Sequence, residues 1–273
     1  MNVTKHHRTI VLSDIHLGSK WSKAKEVTRF LKENTCDTLI LNGDIIDGWS
    51  LMRGNKSKWK KRHTKFIKLV LDRQHDTKIV YLRGNHDDFL NRILPMRFQN
   101  IEIVNEYILE SGDKHYYVTH GDSFDSVTSG FRWMSKIGDI GYSLLLWLNR
   151  YYNKRRLKKG LPYYSLSKTI KNRVKMSVSY ISDFEKHIVD IAKRKQCDGI
   201  ICGHIHHPEI RYYGDIHYLN SGDWVESLTA LTEDYEGNWE IVYYNQENTT
   251  NLPSQVVNQS TEEPVVRKVS LAI

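Results

Sequence analysis

The sequence predicts an α/β fold. Short β-branched runs alternate with amphipathic helical patterns, and the runs end on Gly-polar pairs. The length adds a third observation: 273 residues with 40% apolar content suit one substantial domain, or a domain carrying a sizeable insertion, and are enough to bury a core.

In chain order, Thr9 to Leu12 reads as a strand, and Ser22 to Asn34 as a helix with Ala24, Val27, Phe30 and Leu31 on one face. Thr38 to Leu41 is the next strand. Trp59 to Arg73 repeats the helical period through His63, Phe66, Ile67 and Val70, and Lys78 to Leu82 returns as a strand. Between 124 and 180 no strand followed by a motif occurs. That stretch is helical, aromatic and basic in pattern, and is expected to be an inserted helical cap. Ile181, Phe184, Ile188, Ile191 and Ala192 then share a helical face before the strand Gly199 to Cys202. From Ile210 to Tyr244, short alternating runs with turns at Tyr213-Gly214-Asp215 and Glu236-Gly237-Asn238 predict antiparallel strands. Residues 1–245 are thus read as one domain including the cap. Residues 246–273, rich in Asn, Thr, Ser and Glu, are read as a polar tail.

A weak internal echo links the two halves. Thr35-Cys36-Asp37, a strand, then Gly43-Asp44 resembles Gln196-Cys197-Asp198, a strand, then Gly203-His204. Duplication and convergence on one local architecture explain it equally well.

Lys and Arg number 40 against 32 Asp and Glu, a net charge of +8, which suits an anionic partner: a phosphate ester, a nucleic acid or an acidic lipid surface. Cys36, Cys197 and Cys202 are odd in number and widely spaced, which argues against a disulfide framework and fits a reducing cytoplasm. Met1 to Arg8 shows no signal-peptide pattern. The longest apolar stretch, Ile137 to Leu148, is interrupted by Asp139 and falls well short of the roughly 20 residues of a membrane span. A cytoplasmic location is the resulting expectation.

Five short segments each end a predicted strand: Asp14-Ile15-His16, Gly43-Asp44, Gly84-Asn85-His86-Asp87, His120-Gly121-Asp122 and Gly203-His204-Ile205-His206. Loops after the carboxyl ends of strands reach one rim of a sheet, where α/β folds bind ligands. Together they offer a mixed oxygen and nitrogen donor field suited to Mn, Fe or Zn rather than Ca. A lone Asp-x-His or Gly-Asp pair is more often a turn or a helix start. Five in order are a far more specific signal.

In this order the segments resemble the calcineurin-like metallophosphoesterase superfamily. The resemblance implies a β-sheet sandwich flanked by helices and a dinuclear metal centre. One metal would be held by Asp14, His16 and His206, a second by Asn85, His120 and His204, with Asp44 bridging both. Two cations so placed activate water and clamp phosphoryl oxygens during in-line displacement. The resemblance also implies that His86 meets substrate, stabilising the transition state or protonating the leaving oxygen, with Asp87 orienting its ring.

Within the superfamily, residues 9 to 245 look most like the UDP-2,3-diacylglucosamine pyrophosphatase branch. The Ser13-Asp14-Ile15-His16-Leu17-Gly18 opening, the His120-Gly121-Asp122 segment and the helical insertion carry that likeness. It implies hydrolysis of a pyrophosphate to UMP and an acylated sugar phosphate in lipid A synthesis, commonly with Mn. Members of that branch carry Arg where this chain has His86, so Gly84-Asn85-His86-Asp87 matches the general superfamily pattern instead.

Within the insertion, Ile137, Ile140, Leu144 to Leu148 and the cations from Arg150 to Lys159 combine an apolar face with a basic cluster. Such a segment suits an anionic membrane surface and a lipid tail; a cap helix packed on the sheet or on a second subunit is the plainer reading. Asp122, Lys168, Arg173 and Lys175 are further candidates for substrate contact, although a solvated helix face explains the three cations as well. Another phosphodiesterase, a nuclease or a phosphomonoesterase is the competing enzyme reading, the nuclease or nucleotide phosphodiesterase supported by Tyr151, Tyr152, Tyr163 and Tyr164 near the cations. A scaffold that has lost catalysis is the third. His207 follows the last motif directly and is read as an exposed neighbour.

Overall fold

A computed structural model describes residues 4–52, 59–124, 181 and 183–244. The expected cap from residue 125 onward, with Lys168, Arg173, Lys175 and the 137–159 segment, lies outside them, as does the expected tail at 246–273.

Two sheets face each other. The seven-stranded sheet has the order β12-β11-β1-β2-β3-β5-β4, with β1 Lys5–Leu12, β2 Asn34–Asn42, β3 Lys78–Leu82, β4 Met96–Phe98, β5 Ile101–Val104, β11 Thr229–Glu233 and β12 Trp239–Tyr243. Strands β1, β2, β3 and β5 run parallel, whereas β4, β11 and β12 pair antiparallel at the flanks. The five-stranded sheet has the order β6-β7-β8-β10-β9, with β6 Glu106–Ser111, β7 Lys114–Thr119, β8 Gly199–Cys202, β9 Glu209–Tyr213 and β10 Ile216–Asn220. Its central β7, β8 and β10 are parallel.

The period of two in each strand explains the layers. Ile10, Leu12, Leu39 and Leu41 point to one face of the large sheet, where they meet Val27, Phe30 and Leu31 of α1 (Ala24–Glu33) and Phe66 and Val70 of α3 (Lys61–Arg73). Val11, Ile40, Val80 and Leu82 point the other way and interdigitate with Tyr116, Val118, Ile201 and Leu219 of the second sheet. Tyr117, Ile200, Cys202 and Tyr218 face outward again, onto Phe184, Ile188 and Ala192 of α4 (183–194). The order is helices, sheet, sheet, helix. This is the expected α/β sandwich flanked by helices. The short α2 (Gly48–Met52) follows β2.

Lys78–Leu82 and Gly199–Cys202 form the strands expected of them. Strands β1 and β2 are longer than their apolar runs, because parallel pairing from Lys5↔Asn34 to Leu12↔Leu41 carries the polar ends with it. Strands β4 to β6 come from residues 96–111, whose pattern predicts no element, whereas β7 is the strand expected to end at the His120 motif. The three cysteines are buried and free. Among the described residues no helix is long and apolar enough to cross a membrane.

His63 pins α3 to the first motif loop. Its ring is buried, and Nδ1 accepts from the backbone amides of Gly18 and Lys60, both at 3.2 Å. Burial first, then Arg62 and Lys60, push its pKa down to about 4. A folded pKa below the unfolded value near 6.5 means that the neutral ring's contribution is fully present above pH 6.5 and is lost as pH falls toward 4. A His63→Gln variant should therefore show a shallower fall in melting temperature between pH 6.5 and 4 than the parent. Parallel curves for the two proteins would contradict this role.

Candidate metal centre

The carboxyl ends of β1, β2, β3, β7 and β8 deliver the five motifs to one rim, and backbone hydrogen bonds tie the loops together. The Asp14 amide donates to Gly43 O at 3.1 Å, the His16 amide to Asp44 O at 2.9 Å, and the Gly203 amide to His120 O at 3.1 Å. Asn42 joins the two sheets here: its Nδ2 donates to Thr119 O at 3.1 Å, and its own carbonyl accepts from His120 Nδ1 at 2.9 Å. Close approach requires glycine at two points. A Cβ on Gly43 would lie 2.3 Å from His120 Nδ1, and one on Gly84 would lie 2.2 Å from Asp44 Oδ1.

Asp14, His16, Asp44, His204 and His206 all have positive φ, between 50° and 68°. Non-glycine residues rarely sit there, and such strain persists where the surroundings impose it, typically at functional sites.

Asp44 lies at the centre, 3% exposed. Its Oδ1 is 3.5 Å from His120 Nε2, while its Oδ2 is 3.7 Å from His16 Nε2 and 3.9 Å from His86 Nε2. Asp14 Oδ1 lies 3.1 Å from His206 Nε2 and 3.8 Å from His16 Nε2. Three triplets each place ligand atoms within 4.8 Å of one another: Asp14, His16 and His206; Asp44, His120 and His204; and His16, Asp44 and His86. The first two match the sequence-based grouping, and the third adds His86 to the same space.

The donor set fits cations. Backbone amides hold one oxygen of each aspartate: Asp14 Oδ2 accepts from the His204 amide at 3.0 Å, and Asp44 Oδ1 from the His86 amide at 2.8 Å. Asp14 Oδ1, Asn85 Oδ1 and His120 Nε2, by contrast, are buried with no hydrogen-bond partner. Orphans of this kind are costly and call for an explanation, which a cation supplies. Titration behaviour agrees. Burial alone would raise both aspartates, yet the His206 ring holds Asp14 down at about 2 and the His120 ring holds Asp44 lower still. Burial would lower the imidazoles, but Asp14 lifts His206 to about 9 and Asp44 lifts His120 to about 10. The centre gathers positive charge, and a metal there would displace those protons. The donor set points to a divalent metal centre.

His86 differs from its neighbours. Its Nδ1 lies 3.0 Å from Asp47 Oδ1, which also accepts from the Ser50 amide at 2.7 Å, and its ring centroid is 4.3 Å from that of Trp49. The expectation that Asp87 orients this ring is corrected. Asp87 is fully buried, turned inward ahead of the 3₁₀ turn Asp88–Arg92, and accepts from the Ile45 and Ile46 amides at 3.0 and 2.8 Å. It braces the loop that follows Asp44, and burial with the nearby Asp44 charge raises its pKa to about 7. The signal for Asp47 was present in Gly43-Asp44-Ile45-Ile46-Asp47, a second acid three residues beyond the first.

Asp122 accepts from Arg83 Nη1 at 2.7 Å, an ion pair joining the loops of Asn85 and His120. His207 is half-exposed, 3.5 Å from Glu209. A further supporting segment, Asn220 to Trp224, carried no motif in the sequence. The Trp224 amide donates to Asp14 O at 3.1 Å, Asn220 Nδ2 donates to Gly203 O at 3.1 Å, and buried Asp223 faces His206 Nδ1 at 3.9 Å.

A family model described as calcineurin-like phosphoesterase matches residues 7–208. The DNA polymerase II small subunit of Thermoplasma acidophilum is 24% identical over 245 residues, covering 81% of this chain and 46% of its own length, so the chain spans about half of that relative. The UDP-2,3-diacylglucosamine hydrolase of Photorhabdus laumondii is 23% identical over 203 residues, 73% of this chain and 82% of the relative. A solved archaeal phosphodiesterase aligns with a TM-score of 0.40 at 14% identity, covering 86% of this chain and 98% of the other. With the family match running from β1 through the last histidine motif, the chain belongs to the calcineurin-like phosphoesterase family.

Proposed function

We propose that the chain holds two divalent metals, Mn foremost with Fe and Zn as alternatives, and hydrolyses the pyrophosphate of a lipid-linked nucleotide sugar of the UDP-2,3-diacylglucosamine kind. The products are UMP and an acylated sugar phosphate. The observation that carries the chemistry is the pair of ligand triplets sharing space around Asp44, with the orphaned atoms Asp14 Oδ1, Asn85 Oδ1 and His120 Nε2. On this reading Asp14, His16 and His206 hold one metal, Asn85, His120 and His204 the other, and Asp44 both. Bound there, the metals make water a competent nucleophile near neutral pH and offset phosphoryl charge.

His86 supplies the proton. Burial alone would lower its pKa, but the Asp47 hydrogen bond and the Asp44 charge raise it. The ring therefore favours imidazolium, fixed through Nδ1 by Asp47, with Nε2 directed toward Asp44 and the substrate's leaving oxygen. Trp49 restrains the ring from the side.

The substrate class rests on the net charge of +8, on the apolar and basic sequence between 137 and 159, and on the diacylglucosamine hydrolase relative. A peripheral position at the inner face of the membrane follows from such a substrate. The second reading, a phosphodiesterase or nuclease, draws on the DNA polymerase subunit relative and on His86, which matches the general superfamily pattern rather than the specialised branch.

Asp44→Asn should abolish turnover and lower metal content measured by atomic emission. His86→Ala should keep its metal but lose roughly 10²–10⁴-fold in kcat, and Asp47→Asn should lose less. Equal metal loss in the Asp44 and His86 variants would overturn the role of His86. The Mn-loaded protein should release UMP from UDP-2,3-diacylglucosamine, detected by mass spectrometry. Cleavage of a generic aryl phosphodiester without UMP release would transfer the proposal to the second reading.

A further inference from the structure

We propose that the rim where α1 and α3 begin is a docking surface for an anionic lipid bilayer.

Five exposed cations, Lys20, Lys23, Lys60, Lys61 and Lys65, gather there, and none takes part in an ion pair among the described residues. Helix α3 has no acidic residue in its first turn, so Lys60 and Lys61 stand at the positive end of its dipole, with Lys65 one turn on. Such placement is unfavourable in isolation and is relieved by an external anion.

Large apolar side chains stand beside them. Trp21 is 60% exposed and Met52 70%, and Phe89 and Ile93 are nearly half exposed. Local contacts bring the two sets together around Gly18. A Cβ on Gly18 would lie 2.8 Å from Leu51, next to Met52; the Gly18 amide donates to His63, whose Nδ1 also accepts from Lys60; and a Cβ on Gly48, at the start of α2, would lie 2.9 Å from the Phe89 ring. Lys20 Nζ sits 4.4 Å from the Trp21 ring centroid.

Lysines with no ion-pair partner among the described residues, beside exposed Trp21, Met52 and Phe89, suit a bilayer interface, where ammonium groups meet lipid phosphates and apolar groups enter the acyl boundary. A nucleic acid would use the cations and Trp21 but has no use for Met52 and Ile93. Gly18 is two residues from His16, so docking here would place the metal centre beside the bilayer.

The test is co-sedimentation of the full-length protein with vesicles of phosphatidylcholine alone and with one-third phosphatidylglycerol, without any phosphoester substrate. Binding should require the anionic lipid and weaken with salt. Lys60→Gln/Lys61→Gln/Lys65→Gln should lower the partition coefficient by roughly a hundredfold, and Trp21→Ala should also lower it, while both variants hydrolyse a soluble aryl phosphodiester at the parent rate. Equal binding to neutral vesicles, or parent-like partition of the triple variant, would overturn the proposal. So would absence of vesicle binding with tight, lysine-dependent binding of a single-stranded oligonucleotide, which would assign the surface to nucleic acid.

Discussion

A carboxylate held almost out of water in the midst of imidazoles is the constraint on which the rest of this structure depends. Asp44 is 3% exposed and lies within 4 Å of ring nitrogens from His16, His86 and His120. Burying a charge is tolerable only when it is paired and hydrogen-bonded. Much of the surrounding chain serves that end. Gly84 lets the third motif close onto the Asp44 carboxylate, the His86 amide donates to it, and Asp87 grips the two amides that follow Asp44.

The arrangement is costly. Each left-handed non-glycine residue stores roughly 1–3 kcal/mol, so Asp14, His16, Asp44, His204 and His206 together approach the net stability of an ordinary domain. The three apolar layers offset this. They grip the strands immediately before the strained loops: Ile10, Val11 and Leu12 before Asp14, Leu39 to Leu41 before Asp44, and Ile200 to Cys202 before His204. Orphaned inward-facing atoms add to the cost in the metal-free chain, and bound cations remove it.

The legibility of the molecule follows the range of the interactions. Strands such as Lys78–Leu82 and Gly199–Cys202 were readable because a local apolar run and its terminal motif coincide. The α1 and α3 faces were readable because Phe30, Leu31, Phe66 and Val70 obey the helical period. Strands β4 to β6 were not, since their short, mixed runs owe their conformation to pairing with β3, β5 and β7. At the site, residue types marked the five motifs, and the family resemblance implied a grouping of Asp14, His16 and His206 apart from His120 and His204 that coincides with the spatial triplets. Second partners escaped. That Asp47 rather than Asp87 meets the His86 ring depends on which way a turn faces, and Asn42 and Asp223 act through contacts across the sandwich that no local pattern records.

The most direct test of the account is anomalous diffraction at the manganese edge from crystals of the Mn-loaded protein. Two peaks are expected, one among Asp14, His16 and His206, the other among Asn85, His120 and His204, with Asp44 contacting both. A single peak, or density centred on His16, Asp44 and His86 instead, would contradict it.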